Sequence, residues 1–283
     1  MGAKGALRLA FLGPAGTFSE EAALKYEASA ELVPMPTITA VVAAVDSGMA
    51  DEGIAPVENS LEGSVPETLD LLVHGPRPPS IRAEIVVPIN HNLLVRPGTT
   101  TGDVKVIFVH PQTLGQCRGF IERCFPKATI EAALSNSAAV EEMMAQTEAA
   151  AIGTRRAAEI YGAEVLATGI QDRNPNVTRF VVLAKADHEP TGDDKTSIAL
   201  AFAEADRPGQ VVGALQEFSK RAINLSKIES RPSKEKLGTY IFLMDVDGHR
   251  TDPLLAEALG EIEGRCSFFR ILGSYPRYRE TPA

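Results

Sequence analysis

From the start of the chain to about residue 185, short apolar runs alternate with stretches of helical period. The runs 7–12, 31–35, 53–57, 85–95, 104–109, 129–133, 149–152, 165–167 and 177–183 predict strands. Between them, 19–27, 38–47, 66–73, 111–124, 138–146 and 155–161 predict helices. Such alternation implies an α/β domain with a mostly parallel sheet. The run 81–97 breaks the rhythm and reads as an extended crossover into a second lobe. A polar stretch follows at 185–195, with Pro190 and Gly192, and it reads as a linker. Beyond it the order changes to strand 196–202, helix 210–221, strands 225–230 and 239–245, helix 253–263 and strand 268–272. That βαββαβ order is a ferredoxin-like module. The expected division is a two-lobed domain over 1–187 (second lobe roughly 80–175), a linker 188–195, a module 196–275 and a tail 276–283.

Polar residues gather where predicted strands hand over to helices. Gly13-Pro14-Ala15-Gly16 form a tight turn, and Thr17 and Glu20 have the spacing of a capping box. Asn59 and Ser60 fall just beyond a predicted strand end, and His110-Pro111-Gln112-Thr113 and Ser135-Asn136-Ser137 occupy similar junctions. Ligands of open α/β sheets sit outside the carboxyl ends of strands, so four such junctions would line one cleft. Free N–H groups at helix starts there favour an anion. The segment Asn176-Val177-Thr178-Arg179-Phe180 brings a hydroxyl, a guanidinium and a ring together. In a strand Thr178 and Phe180 face one side and Arg179 the other. Arg179 is then either a bidentate partner for a substrate carboxylate or half of a structural salt bridge. Phe180 is either a wall for a ring or core.

Composition narrows the function. The net charge is −9 with no basic cluster, which argues against nucleic acid and anionic membrane as partners. No apolar run approaches the roughly 20 residues of a membrane span. The run 7–12 is too short for a signal-peptide core, and Gly13 and Pro14 follow it at once. Three cysteines give no disulfide framework, which suits a reducing cytoplasm. Cys117 and Cys124 share a helix face and read as two buried small apolar residues. His74, His91, His188 and His249 have no partner at metal or triad spacing and read as surface or satisfied core. No dinucleotide, P-loop, zinc or nucleophile-elbow motif occurs, so cofactor, metal and nucleophilic-serine chemistry lack support.

Taken in order, Phe11-Leu12-Gly13-Pro14-Ala15-Gly16-Thr17-Phe18-Ser19, Pro56-Val57-Glu58-Asn59-Ser60-Leu61-Glu62-Gly63-Ser64-Val65, His110-Pro111-Gln112, Gln171-Asp172 and Asn176-Val177-Thr178-Arg179-Phe180 resemble the blocks of prephenate dehydratases. Ile223-Asn224-Leu225-Ser226-Lys227-Ile228-Glu229-Ser230-Arg231-Pro232 resembles the regulatory ACT segment of the same enzymes, and Leu272-Gly273-Ser274-Tyr275-Pro276 also fits. The resemblance covers nearly the whole chain. It implies a two-lobed catalytic domain like the type II periplasmic binding proteins, plus a C-terminal ACT domain. It also implies decarboxylative dehydration of prephenate to phenylpyruvate without a cofactor, inhibited by L-phenylalanine. Thr178 carries over as the catalytic residue. A threonine hydroxyl is too weak an acid to act alone, so it is expected to serve as a preorganised donor or relay. Thr17, Asn59, Ser60, Ser137, Arg179 and Phe180 are the expected substrate contacts. Pro208, Gly209, Gln210 and Val211 of one chain, with Asn224, Leu225, Glu229 and Ser230 of a neighbour, are the expected effector contacts in a homodimer or homotetramer. Only a few residues precede Leu7, so the chorismate mutase domain fused to some relatives is expected to be absent.

Two positions depart from the family pattern. Asn136-Ser137-Ala138 stands where a Ser-Thr-Ala run is usual, and Pro208-Gly209-Gln210-Val211 where Pro-Gly-Ala-Leu is usual. Gly213-Ala214-Leu215 mimics the latter but sits four residues late. Arogenate dehydration is a close alternative reaction, and a non-catalytic amino-acid sensor is the alternative from another class.

Overall fold

The computed structural model describes residues 6–75, 77–203, 207–234 and 236–279. The chain divides into two compact units, Met1–Pro66 with Ile85–Phe180 and Glu67–Glu84 with Val181–Ala283. The second unit thus takes in a segment from the earlier part of the chain.

The elements up to residue 184 are β1 (Arg8–Leu12), α1 (Phe18–Tyr26), β2 (Glu31–Met35), α2 (Ile38–Ser47), β3 (Glu52–Asn59), β4 (Gly63–Ser64), α3 (Pro66–His74), β5 (Ser80–Pro88), β6 (Asn92–Val95), β7 (Val106–Val109), α4 (Pro111–Cys124), β8 (Thr129–Ala132), α5 (Asn136–Met144), β9 (Ala149–Gly153), α6 (Arg155–Tyr161), β10 (Glu164–Thr168) and β11 (Val177–Ala184). One sheet runs β2-β1-β3-β11-β5 with β4 on β3, and another runs β10-β6-β9-β7-β8. The extended run 81–97 therefore supplies one strand to each sheet. β1 is parallel to β2 and β3, and β7 to β8 and β9. β6, however, runs antiparallel to β9 and β10, so the second sheet is mixed rather than mostly parallel.

Local chemistry explains the helices. Thr37 accepts from the Ala40 amide at 3.0 Å to start α2, and Gly48, at φ 76°, ends it. Between them Ile38, Val41, Ala44 and Val45 are buried, a single helical stripe. β9 is Ala149-Ala150-Ala151-Ile152-Gly153, buried throughout. Its small residues let α5 approach so closely that a Cβ on Gly153 would lie 2.8 Å from Val140. In α4, Thr113, Cys117 and Ile121 face inward. Burial pushes the Cys117 thiol up to about 12, whereas Cys124 is exposed, contrary to the expected buried pair. Cys124 shares the angular position but is the last residue of the helix, beyond the layer that covers Cys117.

The second unit contains β12 (Asp194–Phe202), α7 (Gln210–Lys220), β13 (Leu225–Pro232), β14 (Tyr240–Asp247), α8 (Pro253–Glu263) and β15 (Cys266–Pro276). Its antiparallel sheet has the order β13-β14-β12-β15, as a βαββαβ module requires. One face packs Ile198, Leu200, Met244 and Val246 against Phe218 of α7 and Leu255, Leu259 and Ile262 of α8. Side chains alternate along strands, so Arg231 and Arg270 leave from the other face. There they hold α3. Arg231 and Lys234 bond the Asp70 carboxylate at 3.0 and 2.6 Å, and Arg270 donates to the Val73 carbonyl at 2.7 Å. Gly273 lies so near the Ile81 backbone that any side chain would clash, with a Cβ 2.1 Å from the Ile81 oxygen.

The expected linker 188–195 is only partly one. Asp194 and Lys195 already belong to β12, and the partly covered Lys195 pairs with the buried Glu84 at 2.8 Å. The Asp194 carboxylate accepts from the amides of Thr191 and Gly192, which makes the preceding polar residues a turn. Among the described residues no helix is long and apolar enough to cross a membrane.

Candidate active site

β3 and β11 lie side by side, which brings Asn59, at the end of one, to Thr178, near the start of the other. Ser60 stitches the junction. Its amide donates to the Val177 carbonyl at 2.9 Å, and its hydroxyl accepts from the Val177 amide at 3.0 Å. The Asn59 carbonyl oxygen accepts from the amides of Leu61 and Glu62 at 2.9 and 3.0 Å, an Asx-type turn that leads the chain into β4. That settles which way the amide group points. Its NH2 faces the opposite side and donates to the Asn176 carbonyl oxygen at 2.8 Å and to the Thr178 hydroxyl oxygen at 3.0 Å. Thr178 therefore accepts from Asn59 with a lone pair. Its own O–H proton has no partner among the described residues, although the residue is only 9% exposed.

Elements of the second sheet complete the surroundings. Gln112 and Gln116 are one turn apart on α4 and share a face. Both donate to Glu62, Gln116 at 2.5 Å. The Gln116 carbonyl oxygen accepts from Asn176 at 2.8 Å and meets Nε2 of His91 at 2.9 Å. The His91 ring meets Phe18 edge-on at 5.6 Å, and burial pushes its imidazole below its ordinary value. Asp172 binds the following loop to α4, accepting from the amides of Gly119 and Phe120 at 2.8 and 3.1 Å. A Cβ on Gly119 would lie 2.8 Å from that carboxylate, so a side chain there would have to displace it. A hollow of about 660 Å³ beside this network is lined by Glu62, Gln112, Gln116, Gly119, Asp172 and Arg173.

The other expected contacts fare differently. The Thr17 hydroxyl is consumed locally: it caps α1 by accepting from the Glu20 amide and donates to the Leu12 carbonyl. The Glu20 carboxylate takes the Gly16 amide at 2.5 Å, so the turn offers fewer free N–H groups than its glycines suggest. Ser137 is fully buried beneath Gly16, whose added Cβ would come within 2.9 Å of its hydroxyl, and that hydroxyl has no partner among the described residues. Asn136, the unusual residue, accepts from the Thr113 hydroxyl at 2.8 Å. Arg179 pairs with Glu58 at 3.2 Å, on the side of β11 away from Thr178. Phe180 is 2% exposed and belongs to the core. Both follow from strand alternation and from the pairing of β11 between β3 and β5. His91, Asn176, Gln116 and Glu62 were not singled out as site residues by their sequence positions. The legible signal was Gln112 and Gln116 at helical spacing, two amides with one helix face between them.

In the second unit, Gly209 takes a left-handed conformation, φ 91°, just before α7, whereas Gly213 lies inside that helix. Pro208-Gly209 is thus the turn, and Gly213-Ala214-Leu215 is not. A hollow of about 190 Å³ is lined by Phe202, Arg207, Gly209, Gln210, Tyr240 and Phe242. Asp206, two residues before the expected effector segment Pro208–Val211, lies outside the described residues. Asn224 donates to Asp247 at 3.4 Å, and Glu229 pairs with Lys227 at 3.4 Å. Leu225 and Thr196 both pair with Val246, so the start of β13 is level with the start of β12. Pro208–Val211 follows the end of β12, and Asn224 and Leu225 therefore sit at the opposite end of the sheet from it. Ser230 pairs with Phe242, nearer the Pro208 end.

Fold and site together define an α/β catalytic domain with a hydroxyl donor held at a strand junction, joined to a ferredoxin-like module. Residues 9–188 match the prephenate dehydratase family and residues 197–264 the ACT domain, and the chain belongs to the prephenate dehydratase family. It is 39% identical over 285 residues to the prephenate dehydratase of Mycobacteroides abscessus, covering 97% of this chain and 92% of that one. It is 40% identical over 272 residues to the bifunctional chorismate mutase/prephenate dehydratase of Aquifex aeolicus, covering 96% of this chain and 74% of that one. Among solved structures, the prephenate dehydratase of Arthrobacter aurescens in complex with L-Phe aligns with a TM-score of 0.87 at 36% identity, covering 98% of this chain and 92% of that one.

Proposed function

We propose that this chain converts prephenate to phenylpyruvate, carbon dioxide and water, with Thr178 as the donor to the departing hydroxyl. The observation that carries the reading is the uncommitted O–H of Thr178, oriented by the Asn59 amide. Prephenate already holds the electrons the reaction needs. Loss of CO2 leaves a pair that expels the ring hydroxide, and aromatisation drives the step. The protein has only to bind a dianion, stabilise the leaving oxygen and keep the geometry. Asn59 donating to Thr178 polarises the hydroxyl, and a preorganised donor of this kind lowers a barrier by roughly 3–4 kcal/mol. The Ser60 hydroxyl, which accepts from Val177, keeps its proton for a substrate oxygen. The start of α4 has no side-chain cap, so its first amides can meet a carboxylate.

The ACT module is the site of feedback by L-phenylalanine in this reading. In this reading a second copy supplies the Asn224–Leu225 end against Pro208–Val211 of the first, in a homodimer or homotetramer, and the placement of the two segments at opposite ends of one sheet supports it. Binding that favours one global state over another then changes turnover.

The deciding experiment is turnover of the purified protein on prephenate, read as phenylpyruvate formed, beside a parallel assay on arogenate and a thermal melt with L-phenylalanine. Prephenate turnover with an L-phenylalanine-dependent rise in melting temperature is expected. Turnover of arogenate alone overturns the substrate, and an unchanged melt and rate at saturating L-phenylalanine overturns the effector.

A further inference from the structure

Glu62 can only accept hydrogen bonds when ionised, so the Gln116 side chain that bonds it must turn its NH2 toward it. The Gln116 oxygen then faces the other way and can only accept, from Asn176 and from His91. His91 must therefore carry its proton on Nε2, leaving Nδ1 bare, and Nδ1 is buried without a partner among the described residues. Asn176 has spent its NH2 on Gln116, so its oxygen faces Asn59 and accepts from it. Asn59 in turn accepts from the Glu62 amide, which closes a ring that leaves Glu62 by its main chain and returns to its carboxylate. All its bonds run in one sense. Reversing one amide would set donor against donor or acceptor against acceptor at both of its ends.

We propose that Gln116, oriented by Glu62, is a positioning residue for the reaction: it holds the Asn176 oxygen toward Asn59 and so, together with the Leu61 and Glu62 amides that fix the other end of Asn59, obliges Thr178 to accept from Asn59 and donate to substrate. The inference rests on the reading of Thr178 as the donor to the leaving group. Gln116 touches neither Thr178 nor the reacting atoms. It acts through Asn176 and Asn59. An inverted Asn59 would present its oxygen to Thr178, and the threonine proton would be spent on it.

The polarity can be tested by exchanging it. Gln116→Glu places a second carboxylate against Glu62. Glu62→Gln places an amide where two glutamines donate. Each single variant is expected to lose about tenfold in kcat, the scale of one hydrogen bond to a charged group. The double variant E62Q/Q116E restores every bond. Gln112 donates to the new amide oxygen on the β3–β4 turn, and the new amide donates to the carboxylate now on α4. That carboxylate accepts from Asn176 and His91, as the Gln116 oxygen did. The double variant is expected to return kcat to within about threefold of wild type. The 15N spectrum of the His91 ring should report a proton on Nε2 in wild type and in the double variant. Single variants at wild-type kcat, or a folded double variant no faster than the slower single one, overturn the positioning role. If a single variant fails to fold, the double variant alone decides. Wild-type turnover in Thr178→Val would instead overturn the reading beneath, whereas an inactive Thr178→Val beside an unaffected Gln116→Glu overturns only this inference.

Discussion

In the first unit, Asn59, Asn176, Gln116 and Thr178 are joined through neutral amides and a hydroxyl, with the carboxylate of Glu62 at the rim. In the second, Arg231 and Lys234 hold α3 against the sheet by charge, Arg270 bonds its last carbonyls, and a largely covered Lys195 pairs with the buried Glu84. Amide bonds are directional. A carbonyl oxygen and an NH2 are not interchangeable, so a ring of them specifies which atom donates. Ion pairs fix proximity with less regard to direction, and exposed ones weaken with salt. In the proposed reaction, a site that presents one proton to one leaving oxygen is built of the first kind, and a helix that must be kept on a sheet is built largely of the second.

Substitutions that strip each device test the contrast. The largest effect should come from Lys195→Met, which takes the ammonium away from the buried Glu84 carboxylate and leaves it the Tyr278 amide, and should cost about 3 kcal/mol of stability in urea titration. A loss under about 1 kcal/mol would mean that water reaches Glu84 and that the pair is not a buried one. Next, Thr178→Val should cut kcat on prephenate by ~10²–10³-fold at nearly unchanged melting temperature. The shapes match, and only the donor is removed. Asp70→Asn should then lower stability by about 1 kcal/mol, because the pair is partly exposed and screened. The difference from wild type should shrink between low and high salt, and a salt-independent difference would argue for packing rather than charge. The smallest effect concerns acid. Arg221, then Lys220 and Arg265, hold the Glu217 carboxyl down from its ordinary 4.5 to about 2. A depressed carboxyl contributes stability that is complete above the unfolded value and is lost as pH falls toward the folded one. Glu217→Gln should therefore flatten the fall of the urea midpoint between pH 4.5 and 2. An unchanged slope would assign that limb to other carboxylates.

Burial of His91 works in the opposite sense to a paired histidine. With its imidazole pushed below the ordinary value, the unfolded chain takes up a proton first, and this contribution to stability fades as pH drops below roughly 6.5. The neutral ring is also what lets His91 keep Nδ1 bare while Nε2 serves Gln116.

How much was legible varies by residue. The helices 38–47, 111–124, 155–161 and 253–263 match α2, α4, α6 and α8 to the residue, since caps and apolar period state them locally. Thr178 and Asn59 were legible from the runs around them, and the structure brings them to 3.0 Å. The antiparallel entry of β6 was not legible, because nothing local to 92–95 says which neighbours it will pair with. Thr17 and Ser137 looked like exposed, available hydroxyls in sequence, and neither is exposed as such. One caps its own helix, and the other lies under a glycine from a distant turn.

By itself, the order of residues determined the elements, the two modules and the family, because hydrophobic period, caps and contiguous motifs act over a few residues. Only the tertiary structure decided that Arg179 meets Glu58, that Phe180 is core, and that α3 belongs with the ACT sheet. It also decided that the Thr178 proton is uncommitted among the described residues. That last point depends on the direction of bonds passing through Glu62, Gln116, Asn176 and Asn59, residues up to 117 positions apart. A hydrogen bond has a sense only once both of its partners are in place, and no local pattern carries it.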